Sequence, residues 1–357
     1  MAISDRTDLH EHLEWAMAIE LLTIPPYLYA LYSIKDRDAV SAKLIRSIVA
    51  EEMLHLALAA NVLLAVGGNP RFYDSNFAPS YPLRIPHHTP ELIVNLEPCS
   101  PHVVEHVFMP IEQPKDLVSN MPDDGEYHSL GDFYMEIESS IHTLCTDDEL
   151  FVDPQLERQL ADSSFYAPVE FDAEDSGGLH GVVDEESAKR AIETIIHQGE
   201  GLRDHHWADS SHQELTHYYK LREIAEGRAP IGEVWPLEVN PTLAMMKPDV
   251  AAVARLFNAA YSLCLVTLDE LYAGVGEGER RDLVGRLYAV MARVMPPVAH
   301  VLVNLPGVEP GKNAGPTFEF HAFADPAKAL AEVQDLAWLA ADANVGLDGL
   351  PEAIGNL

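Results

Sequence analysis

One apolar stretch of the chain carries acids and an imidazole where a buried helix would ordinarily hold only hydrocarbon. The segment AEEMLH (50–55) lies in a run that contains Ile48 before it and Leu56 after it. Glu52 and His55 are three residues apart, so on a helix they project from the same, inward-pointing face. Burying an unpaired charge costs several kcal/mol, so this face needs a partner that neutralises it. The segment therefore constrains the fold to one that surrounds such a partner.

The same spacing occurs a second time. Glu214 and His217 repeat the Glu-x-x-His pattern beside apolar Leu221, and Glu20 is a lone carboxylate on the apolar face of the first predicted helix. One Glu-x-x-His pattern is common by chance. A lone Glu followed by two such pairs on successive helices is instead the ligand pattern of carboxylate-bridged di-iron and di-manganese bundles.

Charge and ligand chemistry support the same interpretation. Carboxylates can bridge two divalent cations, and each neutral imidazole gives one cation a nitrogen ligand. The three cysteines show no CxxC spacing, and oxygen and nitrogen ligands without sulfur suit iron or manganese better than copper(I) or structural zinc. We therefore expect two iron ions, with manganese as the alternative. No catalytic residue beyond the metal ligands and no other cofactor is predicted.

A further carboxylate is needed, and two residues compete for the position. Glu138 lies on a predicted helix between the two Glu-x-x-His segments, and Glu200 lies in HQGEG, directly before the polar connector 201–211. Periodicity does not choose between them, because each is at the edge of an apolar face. The nearness of Glu200 to the connector favours Glu138 as the third-helix ligand, with Glu200 close by.

Apolar periodicity predicts a mainly helical chain. A kink or break is expected at Pro25-Pro26, and the irregular region from 69 to about 128 is a long crossover. Residues 1–228 are predicted to form a di-metal bundle, and 229–357 a C-terminal helical extension packed on it. Helices are expected at 8–33, 39–67, 130–145, 185–200, 212–227, 249–273, 279–304 and 326–342.

Composition excludes several classes of partner. The formal charge is −34, which opposes binding to nucleic acid or to an anionic membrane. The polar, acidic N-terminus is unlike a secretory signal, and the longest apolar run, 54–66, is shorter than a bilayer requires. A cytoplasmic protein with no membrane partner is expected.

Several long segments resemble a known family. These are AIELLTIPPYLYALYSIK, IRSIVAEEMLHLALAANVLLAVGGNP, LGDFYMEIESSI, AIETIIHQGEG and ELTHYYKLREIAEG. They are similar to the ferritin-like domain family of the iminophenyl-pyruvate dimer synthase (violacein-pathway) type. The resemblance covers most of 8–320 and implies an all-α, ferritin-like four-helix bundle with long crossovers and an additional C-terminal helical hairpin. It matches metal-ligand positions to Glu20, Glu52, His55, Glu214 and His217, and shared acidic positions to Glu138 and Glu200.

These features together predict a function. We expect a non-haem di-iron oxidoreductase of secondary metabolism, an oxidase or oxygenase that acts with O2 or peroxide on a small, for example amino-acid-derived, metabolite. A monomer or small homo-oligomer is expected. The alternative is an iron-handling ferroxidase or storage protein, for which Fe(II) is itself the substrate. The long crossovers and C-terminal additions favour a substrate pocket over a closed storage shell.

Overall fold

The computed structural model describes most of the chain, and the described part is predominantly helical. The described residues are 3–85, 91–114, 127, 129–147, 149–162, 166, 177–199 and 215–357. The prediction of an all-α fold is confirmed. The α-helices are α1 (Arg6–Ser33), α2 (Val40–Ala65), α3 (Pro101–Val103), α4 (Met109–Ile111), α5 (Leu130–Asp147), α6 (Glu185–Gly199), α7 (His217–Ala225), α8 (Pro248–Ala273), α9 (Glu277–Ala289), α10 (Met295–Asn304), α11 (Ala329–Ala343) and α12 (Leu350–Ile354).

Short elements connect or extend these helices. A two-stranded antiparallel sheet pairs β1 (Leu83–Arg84) with β2 (Ile93–Val94), with Leu83 opposite Val94. Two π-helical turns join α3 to α4 and α9 to α10, at Val104–Phe108 and Val290–Val294. The 3-10 turns within the described residues are Leu156–Arg158, Leu243–Met245, Pro326–Lys328 and Val345–Leu347.

Helix α1 begins at a side-chain cap and continues through its two prolines. Asp5 accepts hydrogen bonds from the backbone N–H groups of Thr7 and Asp8. The expected break at Pro25-Pro26 does not end the helix, which continues to Ser33. A proline leaves the carbonyl four residues earlier without its N–H partner, and the Tyr81 hydroxyl donates to the carbonyl of Leu22 at 2.5 Å. Tertiary contacts thus replace part of the missing helical hydrogen bonding.

Four long helices form the bundle. Helix α1 packs along α2, α2 contacts α6, α6 contacts α5, and α5 closes the ring on α1. Helix α7 lies beside α2 and the segment from α3 to α4. The predicted helix at 212–227 begins later than expected, because Thr216 is extended and α7 starts at His217. Glu214, the first residue of the second Glu-x-x-His pattern, lies outside the described residues.

The C-terminal region contains the expected second hairpin. Helix α8 packs against α9, α10 and α11, and α10 also contacts α1. The Tyr29 hydroxyl on α1 donates to the carbonyl of Glu238 at 2.5 Å, which ties the bundle to the segment before α8. The boundary between 228 and 229 stays a prediction.

In the described part of the chain, three helical stretches are long and apolar enough to cross a membrane by length and composition alone. They are Val40–Ala65, Pro248–Ala273 and Glu277–Asn304. A span tolerates isolated polar residues, so the absence of a membrane partner, expected from the longest uninterrupted apolar run, stays a prediction. In the first two stretches 83% of the most apolar window is buried inside the fold, and in the third 50%. Much of this apolar surface is therefore covered by the protein itself.

Candidate metal centre

A cluster of buried polar side chains lies where α1 and α2 meet α7 and the end of α4. Each member is at most 4% exposed, although carboxylates and amines are rarely buried without partners. Helices α1, α2, α6 and α7 and the residue after α4 supply them. The members are Glu20, Glu51, Glu52, His55, Glu112, Gln198, His217 and Lys220.

Three carboxylates face two histidines at the centre of this cluster. His217 Nδ1 is 2.9 Å from Glu52 Oε1 and 3.4 Å from Glu112 Oε2. His55 Nδ1 is 3.3 Å from Glu20 Oε2. The two imidazole rings are nearly parallel, 28° apart, with their centroids at 5.3 Å. One ligand atom each from Glu52, His55 and His217 lies within 4.8 Å of the others, close enough to share an ion.

Each of the three carboxylates is held by a hydroxyl through one oxygen and faces a histidine through the other. The Tyr134 hydroxyl donates to Glu20 Oε1. The Thr23 hydroxyl donates to Glu52 Oε2 at 2.5 Å, and the Tyr27 hydroxyl donates to Glu112 Oε1 at 2.5 Å. The oxygens that face the histidines are Glu20 Oε2, Glu52 Oε1 and Glu112 Oε2. The hydroxyls therefore fix the direction in which the carboxylates present their other oxygens.

Both histidines are likewise held through the nitrogen that faces away from these carboxylates. His55 Nε2 is 3.0 Å from the side-chain oxygen of Gln198, which can only accept a hydrogen bond. His217 Nε2 is 2.7 Å from Glu51 Oε2. Partners of this kind place the proton on Nε2 and leave the Nδ1 lone pair for a metal.

The residues present fit a bound metal. Among the described residues, His217 Nδ1 has no hydrogen-bond partner of good geometry, although it is fully buried and close to two carboxylates. A buried nitrogen left in this way needs an explanation, and a metal ion is one of the usual ones. The donor set contains only oxygen and nitrogen, which suits iron and manganese.

The electrostatics of the cluster show a shortage of positive charge. Burial raises the pKa of Glu20 to about 7, and burial together with Glu112 and Glu20 raises the pKa of Glu52 to about 8. Burial lowers the pKa of His55. Burial also opposes protonation of His217, but the carboxylates of Glu112, Glu51 and Glu52 outweigh it and raise its pKa well above the usual range. A bound cation would relieve this repulsion among the acids.

The structure brings together four of the seven predicted ligands, namely Glu20, Glu52, His55 and His217. Glu138 is placed elsewhere, contrary to our expectation. Its carboxylate is 26% exposed and lies 3.1 Å from Nζ of Lys189 on α6, because α6 offers a cation on that side of α5. Glu200 and Glu214 lie outside the described residues.

Sequence reasoning missed four members of the cluster. Glu51 directly precedes the predicted ligand Glu52, and Lys220 follows the predicted ligand His217 by three residues. The signal available in the sequence was a charged residue within a mostly apolar helix. Glu112 lies in the irregular crossover, where periodicity carries no information. Gln198 is an uncharged residue next to a glycine, and its sequence position gives no sign of a role.

The metal content of two alanine variants tests whether Glu112 or Glu138 is a metal ligand. Glu112→Ala is expected to lower the iron or manganese bound per chain, since it removes a carboxylate oxygen 3.4 Å from His217 Nδ1. Glu138→Ala is expected to retain the wild-type content, because its carboxylate is paired with Lys189. Elemental analysis of both purified variants measures this, with circular dichroism as the check on folding. Loss of metal from Glu138→Ala alone would restore Glu138 as the ligand.

Comparisons with known proteins agree with this fold. A family model described as Ferritin-like matches residues 13–226. The chain is 27% identical over 384 residues to a dichlorochromopyrrolate synthase of Lentzea aerocolonigenes, covering 89% of this chain and 36% of that protein. It is 25% identical over 369 residues to a 2-imino-3-(indol-3-yl)propanoate dimerase of Chromobacterium violaceum, and this match covers 88% of this chain and 34% of that protein. The chain therefore spans about a third of the length of these curated relatives.

A solved structure shares the fold. The crystal structure of a ferritin like protein from Caulobacter vibrioides at 1.95 Å resolution superposes with a TM-score of 0.57 and 25% sequence identity. The match covers 81% of this chain and 96% of the other. It therefore extends beyond the bundle into the C-terminal region.

Proposed function

This chain belongs to the ferritin-like family, and from that premise we propose that it is a di-metal carboxylate oxidase or oxygenase. The metal is iron, with manganese as the alternative. The co-substrate is O2 or peroxide, and the substrate is a small, amino-acid-derived metabolite. One relative is named for an imino acid that carries an indole ring, which supports this class of substrate.

A single observation carries the proposal: two buried histidines and three buried carboxylates face one another through one atom each and are held by hydrogen bonds through another. The residues that would hold metal are Glu20, Glu52, His55, Glu112 and His217, and Glu200 and Glu214 are further candidates. When bound, the metal supplies redox chemistry with oxygen or peroxide that amino-acid side chains lack.

The protein's own residues provide binding, orientation and protection from water. The cluster members are at most 4% exposed, so water has little access to the centre. Tyr134 holds a proton at its hydroxyl oxygen against Glu20, and Tyr27 holds one against Glu112. Burial and the adjacent acids raise the pKa of both hydroxyls well above the ordinary value, so both protons stay in place at neutral pH. These hydroxyls keep the carboxylates oriented.

Iron oxidation and assembly size test the proposal. Protein loaded with Fe(II) under anaerobic conditions and then exposed to O2 is expected to oxidise about one pair of irons per chain and stop. Sedimentation is expected to show a monomer or small oligomer. Continued oxidation of added Fe(II) into a mineral core inside a large shell would identify an iron-storage protein instead. Failure to bind any iron or manganese would reject both functions.

A further inference from the structure

The two histidines of the cluster are held by partners of different charge. His55 Nε2 meets the neutral amide oxygen of Gln198 at 3.0 Å. His217 Nε2 meets a carboxylate oxygen of Glu51 at 2.7 Å. Both Glu51 oxygens are also bound by the ammonium group of Lys220, at 2.5 and 2.6 Å. The two imidazoles therefore have similar geometry but different acceptors: a neutral amide oxygen at His55, and at His217 an ionised carboxylate oxygen that is itself part of an ion pair.

The chemistry of the hydrogen bond makes this difference important. A carboxylate that accepts from the outer N–H of an imidazole fixes the ring's orientation and makes its other nitrogen a stronger electron donor. An amide oxygen fixes the orientation with a weaker effect, because hydrogen bonds to charged groups are about twice as strong as neutral ones. Nδ1 of His217 is consequently the better metal ligand of the two.

Lys220 determines where the Glu51 carboxylate points. Its side chain is fully buried, with 0% exposed, and binds both carboxylate oxygens. Lys220 lies three residues after His217 on α7, so the histidine and the lysine that steadies its partner move as one unit. Burying a flexible, charged lysine side chain costs desolvation and conformational entropy. A role in fixing the position of the Glu51 carboxylate would explain why the lysine is there.

We propose that Glu51 and Lys220 are positioning residues that make the metal position at His217 bind more tightly than the one at His55. This inference rests on the proposed di-metal function. The two metal positions then differ in affinity, and metal ions fill the position at His217 before the position at His55. Neither residue needs to touch the metal for this role.

Titration with Mn²⁺, followed by the electron paramagnetic resonance signal of free Mn²⁺, tests the inference under anaerobic conditions. Wild type is expected to show a tighter and a weaker step. Glu51→Gln combined with Lys220→Met gives His217 an amide partner like that of His55. In this double variant the tighter step is expected to weaken 10- to 100-fold and approach the weaker one.

A second variant makes the test specific. Gln198→Met removes the hydrogen-bond acceptor of His55, and it is expected to weaken only the weaker step. The control is Lys35→Met with Glu233→Gln, which removes a surface ion pair of the same residue types at 2.9 Å and is expected to change neither step. A general folding defect would weaken both steps in every cluster variant, so selective loss is the signature of positioning.

Three results would overturn the inference. They are an unchanged tighter step in the double variant, equal weakening of both steps by either variant, and loss of the tighter step in Gln198→Met. Absence of any Mn²⁺ binding by wild type would instead reject the proposed function itself. The two failures are therefore distinguishable.

Discussion

His55→Ala combined with His217→Ala is expected to abolish metal binding and leave the helices in place. The double variant removes both imidazoles that turn Nδ1 toward the buried carboxylates. Without nitrogen ligands the remaining buried acids repel one another, and burial together with Glu112 and Glu20 already raises the pKa of Glu52 to about 8. Elemental analysis measures bound iron and manganese, and far-ultraviolet circular dichroism measures helix content.

A matched control removes two histidines that pair with acids elsewhere. His142 pairs with Glu185 and His321 with Glu332, each at or near the surface. His142→Ala with His321→Ala is expected to keep the full metal content. Metal retained by the cluster variant at the wild-type level would refute the assignment of these two ligands.

Lys220→Met is expected to destabilise the metal-free protein by about 3–5 kcal/mol. The substitution leaves the Glu51 carboxylate buried, 1% exposed, with its ammonium partner removed. Methionine fills a similar volume, so most of the loss comes from removing the ammonium group that binds both oxygens of the buried carboxylate, and little comes from a cavity. Urea denaturation in the presence of a chelator measures the free energy of unfolding.

Adding Glu51→Gln to this variant is expected to recover most of the lost stability. The second substitution removes the charge that Lys220 no longer balances and still leaves an oxygen to accept from His217. The control is Lys35→Met, whose ion pair with Glu233 is solvent-exposed and is expected to contribute little. Equal destabilisation by the single and the double variants would show that Lys220 acts through packing alone.

The centre of the site could be predicted because it lies on regular helices. Glu20, Glu52 and His55 occupy apolar faces of α1 and α2, and helical periodicity places such residues on the inward side. His217 was identified from the repeated Glu-x-x-His spacing, and it is the first residue of α7. The structure places His217 in the buried cluster, and its role as a metal ligand stays a prediction.

The rest of the site depends on contacts between distant segments. Glu112 comes from the crossover, and its place beside His217 is set by the packing of α4 and the π-helical turn against α7. Glu138 has a ligand-like position in the sequence, but Lys189 on α6 binds its carboxylate. The continuity of α1 through Pro25-Pro26 likewise depends on tertiary contacts. The helix propensity and apolar periodicity of a local segment do not specify these contacts between distant segments.

Diffraction from crystals of the iron-loaded protein at the iron absorption edge tests the central claim most directly. The account predicts two anomalous peaks inside the bundle, one within bonding distance of His55 Nδ1 and one within bonding distance of His217 Nδ1. Carboxylate oxygens of Glu20, Glu52 and Glu112 are expected around them. Peaks confined to the protein surface, or none within reach of the two histidines, would contradict the account.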